Sequence, residues 1–233
     1  MKADLNRYLP LLTKNPLFEG IAESRLAAML ETMNAAVVDY DRGQTFHRPG
    51  EELSRSCVLL DGAMAAEDID FDGDRSILFR LYPGDELDVF LTLSGKTKSP
   101  MHVYAVAPSR VLLFDIMRLL GVPGDEDTWR FHRNLLKTLS HRYVDVFQKL
   151  RIFNKKRIRS RVRVYLTTLE AHDGEVVIPM NRTDLADWLG VDRAALAREL
   201  GHMQADGLIR VNKRRIRLLN RDYFQLDTSV DEN

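Results

Sequence analysis

Eight residues of the chain, Trp129, His132, Leu136, Leu139, Tyr143, Val146, Leu150 and Phe153, follow one another at alternating steps of three and four. That spacing predicts one helix of about 25 residues carrying a narrow apolar seam over three and a half heptads. A stripe so narrow suits a partner helix better than a broad core, and it reads as a parallel dimer seam. The other use of such a helix is packing on its own domain, and the two can coexist on different faces. His132 breaks the apolar character of the seam. A polar residue there sets register or stays partly solvated; a haem ligand or a pH switch is the sharper alternative.

Before this helix the chain has another texture. Residues 1–35 read as short helices, with Ser24 placed to cap the run Leu26, Met29, Leu30 and Met33. From Val37 onward, Gly50, Gly62, Gly73, Gly84 and Gly95 recur at steps of 12, 11, 11 and 11 residues. Strand-like pieces lie between and after them, at 57–60, 76–79 and 102–106. Short strands with turn glycines predict an antiparallel barrel or sandwich. The acidic run from Asp68 to Asp74 superficially suggests a calcium loop. It lacks the closing bidentate glutamate and the flanking helices, so it reads as an acidic hairpin turn.

Charge divides the chain although the formal net is zero. Residues 1–127 hold 13 Lys/Arg against 21 Asp/Glu, whereas residues 151–217 hold 15 against 8. A polyanion partner is therefore expected for the back of the chain only. Cys57 is the one cysteine, which excludes an internal disulfide and an iron–sulfur cluster and points to a reducing cytoplasm. The first seven residues lead into no signal-type apolar core, and no apolar run approaches the roughly 18–20 residues that span a bilayer. No nucleophile elbow, phosphate loop, HExxH or motif-placed pair of carboxylates is present, so no enzyme is expected and no metal residues are assigned.

Asn154-Lys155-Lys156 interrupts the seam as a hinge, and a helix is predicted from about Lys155 to Glu170. Its apolar face is Ile158, Val162, Tyr165/Leu166 and Leu169. Asp173-Gly174 then turns the chain into a strand at 176–179. Residues 181–206 carry the densest pattern. Asn181 can cap a first helix with Asp184 three positions on. Ala186 permits close crossing, Gly190 suits the tight turn, Val191 plugs the gap and Asp192 caps a second helix. Leu185, Leu189, Leu196, Leu200 and Met203 supply a shared core. This is a helix-turn-helix pattern with one departure, because Glu199 stands at an expected apolar position. Arg193 and Arg198 on the second helix are the expected base-edge or phosphate contacts. A two-stranded wing turning at Asn212-Lys213 brings Lys213, Arg214, Arg215 and Arg217 to its tip and return strand.

An acidic glycine-punctuated barrel, a long helix, a hinge and a winged helix-turn-helix, in that order, resemble the Crp/Fnr family of transcription regulators. The resemblance runs from 15–20 (Asn-Pro-Leu-Phe-Glu-Gly) to the wing and is strongest over 178–200, where it is similar to the branch of anaerobic Gram-positive bacteria. It implies an α+β fold. A double-stranded β-helix (β-roll or jelly-roll) sensor domain would span 1–124, a dimerisation helix 125–153 and the winged helix-turn-helix 154–227. It also implies a homodimer on a palindromic duplex-DNA operator, with RNA polymerase as a further partner.

Where the family's recognition helix often reads Arg-Glu-x-x-x-Arg, this chain has Arg193, Ala194 and Arg198. Loss of the acid removes an acceptor for cytosine N4, so the half-site should differ there. Arg182 matches a position that holds the phosphate backbone. In the cyclic-nucleotide cassette, an ungapped fit through Gly84-Asp85 and 103–105 puts Asp88 and Val89 at Gly-Glu, and Ser99 and Pro100 at Arg-Ser. The phosphate would lose its guanidinium and meet a carboxylate. Val146 and Phe147 are apolar where a polar pair would meet the base. Asp85, Asp88, Val89, Lys98, Ser99, Val146 and Phe147 are thus the expected effector pocket, for an effector other than cAMP. Lys96 and Lys98 leave an anion conceivable, and His47, His102, His132 and His141 leave haem open as a cofactor. A competing reading is a haem- or redox-sensing module that acts mainly through protein contacts.

Overall fold

The computed structural model describes residues 5–69, 75–95, 98–121 and 123–225. It divides into two compact units, 1–142 and 143–233. The division falls inside one helix, and the two units are described separately.

The first unit opens with α1 (Leu9–Leu12), a 3-10 turn (Pro16–Phe18) and α2 (Glu23–Thr32). Asn15 caps the 3-10 turn by accepting from the Leu17 amide at 2.8 Å, and its Nδ2 donates to the Gly84 carbonyl at 2.8 Å. Ser24 does not cap α2. The cap position is Ala22, with extended backbone and no side-chain hydrogen bond, and Ser24 lies one residue inside the helix. Local sequence favours serine at a cap, but the preceding chain enters the helix two residues earlier.

The strands β1 (Ala36–Tyr40), β2 (Thr45–His47), β3 (Ser56–Asp61), β4 (Met64–Ile69), β5 (Arg75–Leu81), β6 (Glu86–Leu87), β7 (His102–Ala105) and β8 (Ser109–Phe114) form two four-stranded sheets. Their orders are β1-β8-β3-β6 and β2-β7-β4-β5, and every pairing is antiparallel. Gly50, Gly62, Gly84 and Gly95 all adopt positive φ, as turns between such strands require; Gly73 lies outside the described residues. Gly62 has a second reason to lack a side chain. A Cβ there would stand 2.3 Å from the Pro108 carbonyl oxygen.

Short helices α3 (Val89–Leu93) and α4 (Ile116–Leu120) follow β6 and β8. One core lies under the helices, where Phe18 meets Phe114 edge-on at 6.1 Å and stacks on Phe131 at 5.8 Å. A second lies around Cys57, Leu59, Met64, Ala66, Val103 and Val111.

The long helix α5 spans Glu126–Phe153, and it has two faces. Thr128, Phe131, Asn134, Leu135 and Thr138 are buried in the first unit. Asn134 Nδ2 donates to the Glu19 carbonyl at 2.8 Å, and Arg142 Nη2 to Glu86 Oε1 at 2.6 Å. The seam residues Trp129, Leu136, Leu139, Tyr143, Val146, Leu150 and Phe153 are exposed, and His132 is half-buried. The helix packs on its own domain through one face and leaves the seam exposed on another, one or two residues out of phase.

In the second unit α6 (Ile158–Thr168) begins at Ile158 rather than near Lys155, because Arg157 is extended (φ −99°, ψ 138°). It also ends earlier, with Leu169 extended. Strands β9 (Ala171–His172) and β10 (Glu175–Val177), helices α7 (Arg182–Leu189) and α8 (Arg193–Ala205), and the wing strands β11 (Ile209–Asn212) and β12 (Arg215–Leu218) complete it. Its sheet order is β11-β12-β10-β9. One core collects Ile152 from α5, Val162, Tyr165 and Leu166 from α6, Leu185, Ala186 and Leu189 from α7, and Leu196, Leu200 and Met203 from α8.

Candidate functional site

The turn between α7 and α8 is built from short-range chemistry. Asn181 Oδ1 accepts from the amides of Thr183 (2.9 Å) and Asp184 (3.0 Å), and its Nδ2 donates to Asp184 Oδ2 at 2.7 Å. Asp192 Oδ1 accepts from the Ala195 amide at 2.9 Å. Both caps satisfy amides that a helix start leaves without partners. Gly190 closes α7 in the left-handed region (φ 62°, ψ 47°). A Cβ on it would stand 2.9 Å from Phe153 Cε1.

The same turn is held from α5 and α6. Arg161 Nη1 donates to the carbonyls of Leu189 (3.0 Å) and Gly190 (2.8 Å), and its Nε to the Lys155 carbonyl (2.8 Å). Lys149 lies over the Trp188 ring at 5.1 Å. Burial lowers the Lys149 pKa from its usual value, against the opposing charge of Asp187. With Ile152 fully buried in the same core, the end of α5 is fastened to the helix-turn-helix. The hinge expected at 154–156 is therefore tied at both ends: motion there would break the Arg161 bonds and expose Ile152.

The second helix presents a continuous exposed stripe opposite its buried Leu196, Leu200 and Met203. Arg193, Ala194, Ala197, Arg198 and Gly201 all face outward. Nothing lies within 4 Å of where a Gly201 Cβ would be. Small residues beside the two arginines allow a surface to come close to the helix backbone, a signal that the sequence carries at Ala197 and Gly201 but that needs the buried face to be known first. Glu199, the irregular position of the motif, accepts from Arg159 Nε at 2.6 Å.

In the wing, Asn212 pairs with Arg215, so the two-residue turn is Lys213-Arg214, one residue later than expected. Lys213 takes positive φ (52°) there. Arg182, at the start of α7, donates from Nη2 to the Lys213 carbonyl at 2.9 Å and braces the wing tip. Burial lowers its pKa from the usual value, and its Nη1 is buried without a hydrogen-bond partner. A cleft of about 310 Å³ opens here, lined by Ile178, Met180, Asn181, Arg182, Lys213 and Arg214. Lys213, Arg214 and Arg215 are exposed, and Arg215 Nη1 donates to Glu175 Oε1 at 2.9 Å. Arg182, Lys213 and Arg214 are thus brought to one cleft, and Arg193, Ala194 and Arg198 to one helix face.

The residues expected to line an effector pocket are more dispersed. Asp85 Oδ2 accepts from the Tyr82 amide at 2.8 Å and closes a turn. Asp88 is buried with a left-handed backbone (φ 63°), and its Oδ2 lies 3.1 Å from His47 Nε2. Val89 belongs to the core. Ser99 is buried, with its hydroxyl donating to the Met101 carbonyl at 2.8 Å, whereas Lys98 is exposed. Val146 and Phe147 are exposed and belong to the second unit. Sequence reasoning missed the His47–Asp88 pair, whose members are 41 residues apart. It also missed the chain of contacts Thr45 Oγ1–His102 Nε2 (3.2 Å) and His102 Nδ1–Glu67 Oε1 (2.8 Å). Burial pushes the Cys57 thiol pKa well up, and the Asp88 charge adds to it. His132 Nε2 has no hydrogen-bond partner, and its ring meets Trp129 edge-on at 5.9 Å. His141 is exposed. Among the described residues, no three metal-ligating side chains cluster, and no helix is long and apolar enough to cross a membrane. The acidic residues at 70, 72 and 74 lie outside the described ones.

Comparison with known proteins agrees with this geometry. Residues 160–225 match the Crp-like helix-turn-helix domain. The global nitrogen regulator of Synechococcus elongatus is 22% identical over 211 residues, covering 88% of this chain and 91% of that protein. In structure, a CooA variant from Carboxydothermus hydrogenoformans superposes with a TM-score of 0.60 at 17% identity, over 84% of this chain and 88% of that one. FixK2 from Bradyrhizobium japonicum does so with a TM-score of 0.51 at 22% identity, over 82% and 95%. Residues 160–225 thus form a Crp-like helix-turn-helix domain, and the chain shares the fold of these neighbours.

Proposed function

We propose that the protein acts as a homodimer that reads a two-fold symmetric site in duplex DNA and whose first unit senses a small effector other than cAMP. The observation that carries the DNA reading is the outward stripe of α8. Arg193 and Arg198 project from a face kept small by Ala194, Ala197 and Gly201. A guanidinium pairs bidentately with guanine O6/N7, whereas Ala194 offers cytosine N4 no acceptor. Arg182, Lys213 and Arg214 supply phosphate contacts beside it. The exposed seam of α5 supports the dimer, and two-fold symmetry of the protein asks for a palindromic operator. Cytoplasmic location and engagement of RNA polymerase go with this role.

Against cAMP stand Ser99, committed to the Met101 backbone, and the buried Asp88 carboxylate where a cyclic nucleotide needs opposite chemistry. Two structural neighbours support an effector of another kind: one is CprK complexed with OCPA, another the c-di-GMP-responsive global regulator CLP of Xanthomonas campestris. Because Ile152, Phe153 and Arg161 fasten the end of α5 to the α7–α8 turn, a shift of that helix end carries the recognition helices with it. Selection of bound duplexes from a random pool tests the reading. A palindromic site should emerge, and a pool with no symmetric preference overturns it.

A further inference from the structure

In the first unit a row of polar side chains crosses the sheet β2-β7-β4-β5, one residue from each strand in that order. On β7, Val103 and Ala105 are fully buried, so His102 and Tyr104 alternate onto the opposite face. Thr45 on β2 stands opposite Tyr104, and Glu67 on β4 stands opposite His102. His102 Nδ1 lies 2.8 Å from Glu67 Oε1, and its Nε2 lies 3.2 Å from Thr45 Oγ1. Arg75 on β5 donates to the same Glu67 oxygen at 3.1 Å, which gives this buried carboxylate a positive partner. A carboxylate only accepts, so Nδ1 carries the imidazole hydrogen. In the neutral ring Nε2 is then the acceptor, and the Thr45 hydroxyl donates to it. The Tyr104 ring stacks on His102 at 5.3 Å and fixes its plane. Glu67 is closed off from solvent, but the His102 side chain keeps 16% exposure and Thr45 is half-buried. A small molecule therefore reaches the hydroxyl end of the row.

A hydroxyl within hydrogen-bond reach of an imidazole, whose other nitrogen is oriented by a buried carboxylate, is the arrangement that activates a nucleophile. We propose that Thr45 is a covalent acceptor for activated acyl groups, with His102 as its base and Glu67 as the residue that positions His102. The donor is an activated carboxylic acid, either an active ester or an acyl phosphate. Thr45 Oγ1 attacks the acyl carbon and forms a C–O bond, while its proton passes to His102 Nε2. The bond to the leaving group breaks, and that group departs with the electron pair as an anion; His102 then returns its proton to water. The product is a threonine ester on the chain itself, a single modification without turnover. It leaves His102 Nε2 without its donor and so severs the side-chain link between β2 and β7. No short motif announces the row, because Thr45 and His102 are 57 residues apart and His102 and Glu67 are 35 apart.

The same row could serve only to pin three strands together, and the test separates the two roles. Full-length protein is treated with p-nitrophenyl acetate in one arm and acetyl phosphate in the other, and acetylated positions are mapped by peptide mass spectrometry. Surface lysines, which react without help from the row, provide the internal reference. Wild type should gain one acetyl group on Thr45 in at least one arm, and the arm tells which leaving group the site uses. His102→Gln and Glu67→Gln should slow labelling of Thr45 by about 100-fold, with lysine labelling unchanged. Thr45→Ser should keep the label. Thr45→Val, which preserves the shape of the side chain and guards against loss of fold in the other variants, should abolish it. A wild-type protein labelled on lysines alone in both arms overturns the inference and leaves the row a strand-pinning device. A Thr45 label that folded His102→Gln does not slow overturns it as well, as does an acetyl group on His102 itself in Thr45→Val at the wild-type rate.

Discussion

Arg159 on α6 donates from Nε to Glu199 Oε1 on α8 at 2.6 Å, and from Nη1 to Asp206 Oδ2, also at 2.6 Å. These two hydrogen bonds, that to Glu199 first, raise the guanidinium pKa further above its usual value. They place a carboxylate where a helix-turn-helix ordinarily has an apolar side chain, and they bind the recognition helix to the helix behind it. Glu199 is only 20% exposed, so losing its partner strands a mostly buried charge. Arg159→Met should lower unfolding stability by about 1–2 kcal/mol, discounted for the partial exposure of the pair. Arg159→Met/Glu199→Leu should recover most of that loss. A urea-unfolding double-mutant cycle measures the coupling, and additive losses would mean that the pair contributes nothing of its own.

Gly190 is held in the left-handed region with the Phe153 ring against it. Gly190→Ala meets both a conformational cost of about 1–2 kcal/mol and an overpacking cost of about 1–3 kcal/mol. Adding Phe153→Leu should return part of the second cost and none of the first. Denaturation of the single and double variants, compared by midpoint at constant slope, separates the two.

Burial pushes the Tyr165 hydroxyl from 10.0 up to about 12, and its oxygen has no hydrogen-bond partner. The folded state therefore holds this proton more tightly than the unfolded chain does. The resulting contribution to stability is complete below pH 10 and is lost as pH rises from 10 through about 12. Tyr165→Phe should be neutral or stabilising by up to about 1 kcal/mol at pH 7.5. It should also lose less stability than wild type between pH 10 and 12. Equal alkaline losses in the two proteins would count against the assignment.

The exposed seam predicts the oligomeric state. Burial of a leucine-sized side chain is worth about 1.5–3 kcal/mol, and a dimer loses each substituted position twice. Leu139→Lys/Tyr143→Lys should therefore sediment as a monomer at micromolar concentration, with far-ultraviolet circular dichroism unchanged, where wild type sediments as a dimer.

Arg198 should carry base discrimination. Arg198→Ala should weaken binding to the selected site by about 1–3 kcal/mol and relax preference at one base pair per half-site, with a smaller effect on random duplex. Competition titrations with single-base variants of the site read this directly.

Much of the second unit was legible before any coordinates. Asn181, Gly190 and Asp192 act on backbone groups two to four residues away, so sequence alone determines which amides they satisfy and where the turn falls. The seam of α5 was equally readable, since helical period alone puts its residues on one face. Ser24 and the wing turn were misplaced by one or two residues, because local preference ranks several neighbouring positions almost equally and strand register or chain entry chooses among them.

The tertiary structure decided whatever depends on partners distant in sequence. The partner of Glu199, the pairing of His47 with Asp88, the carboxylate behind His102 and the fastening of Phe153 to Gly190 belong to this class. A periodic pattern states which face of an element is apolar, but not what meets that face. Thus the apolar seam of α5 could be foreseen, as could packing of the helix on its own domain, while the residues that do the packing, Phe131, Leu135 and Asn134, emerged only from the fold. Short-range hydrogen bonding is encoded by neighbours in the chain; charge pairing and packing across elements are encoded by their arrangement in space.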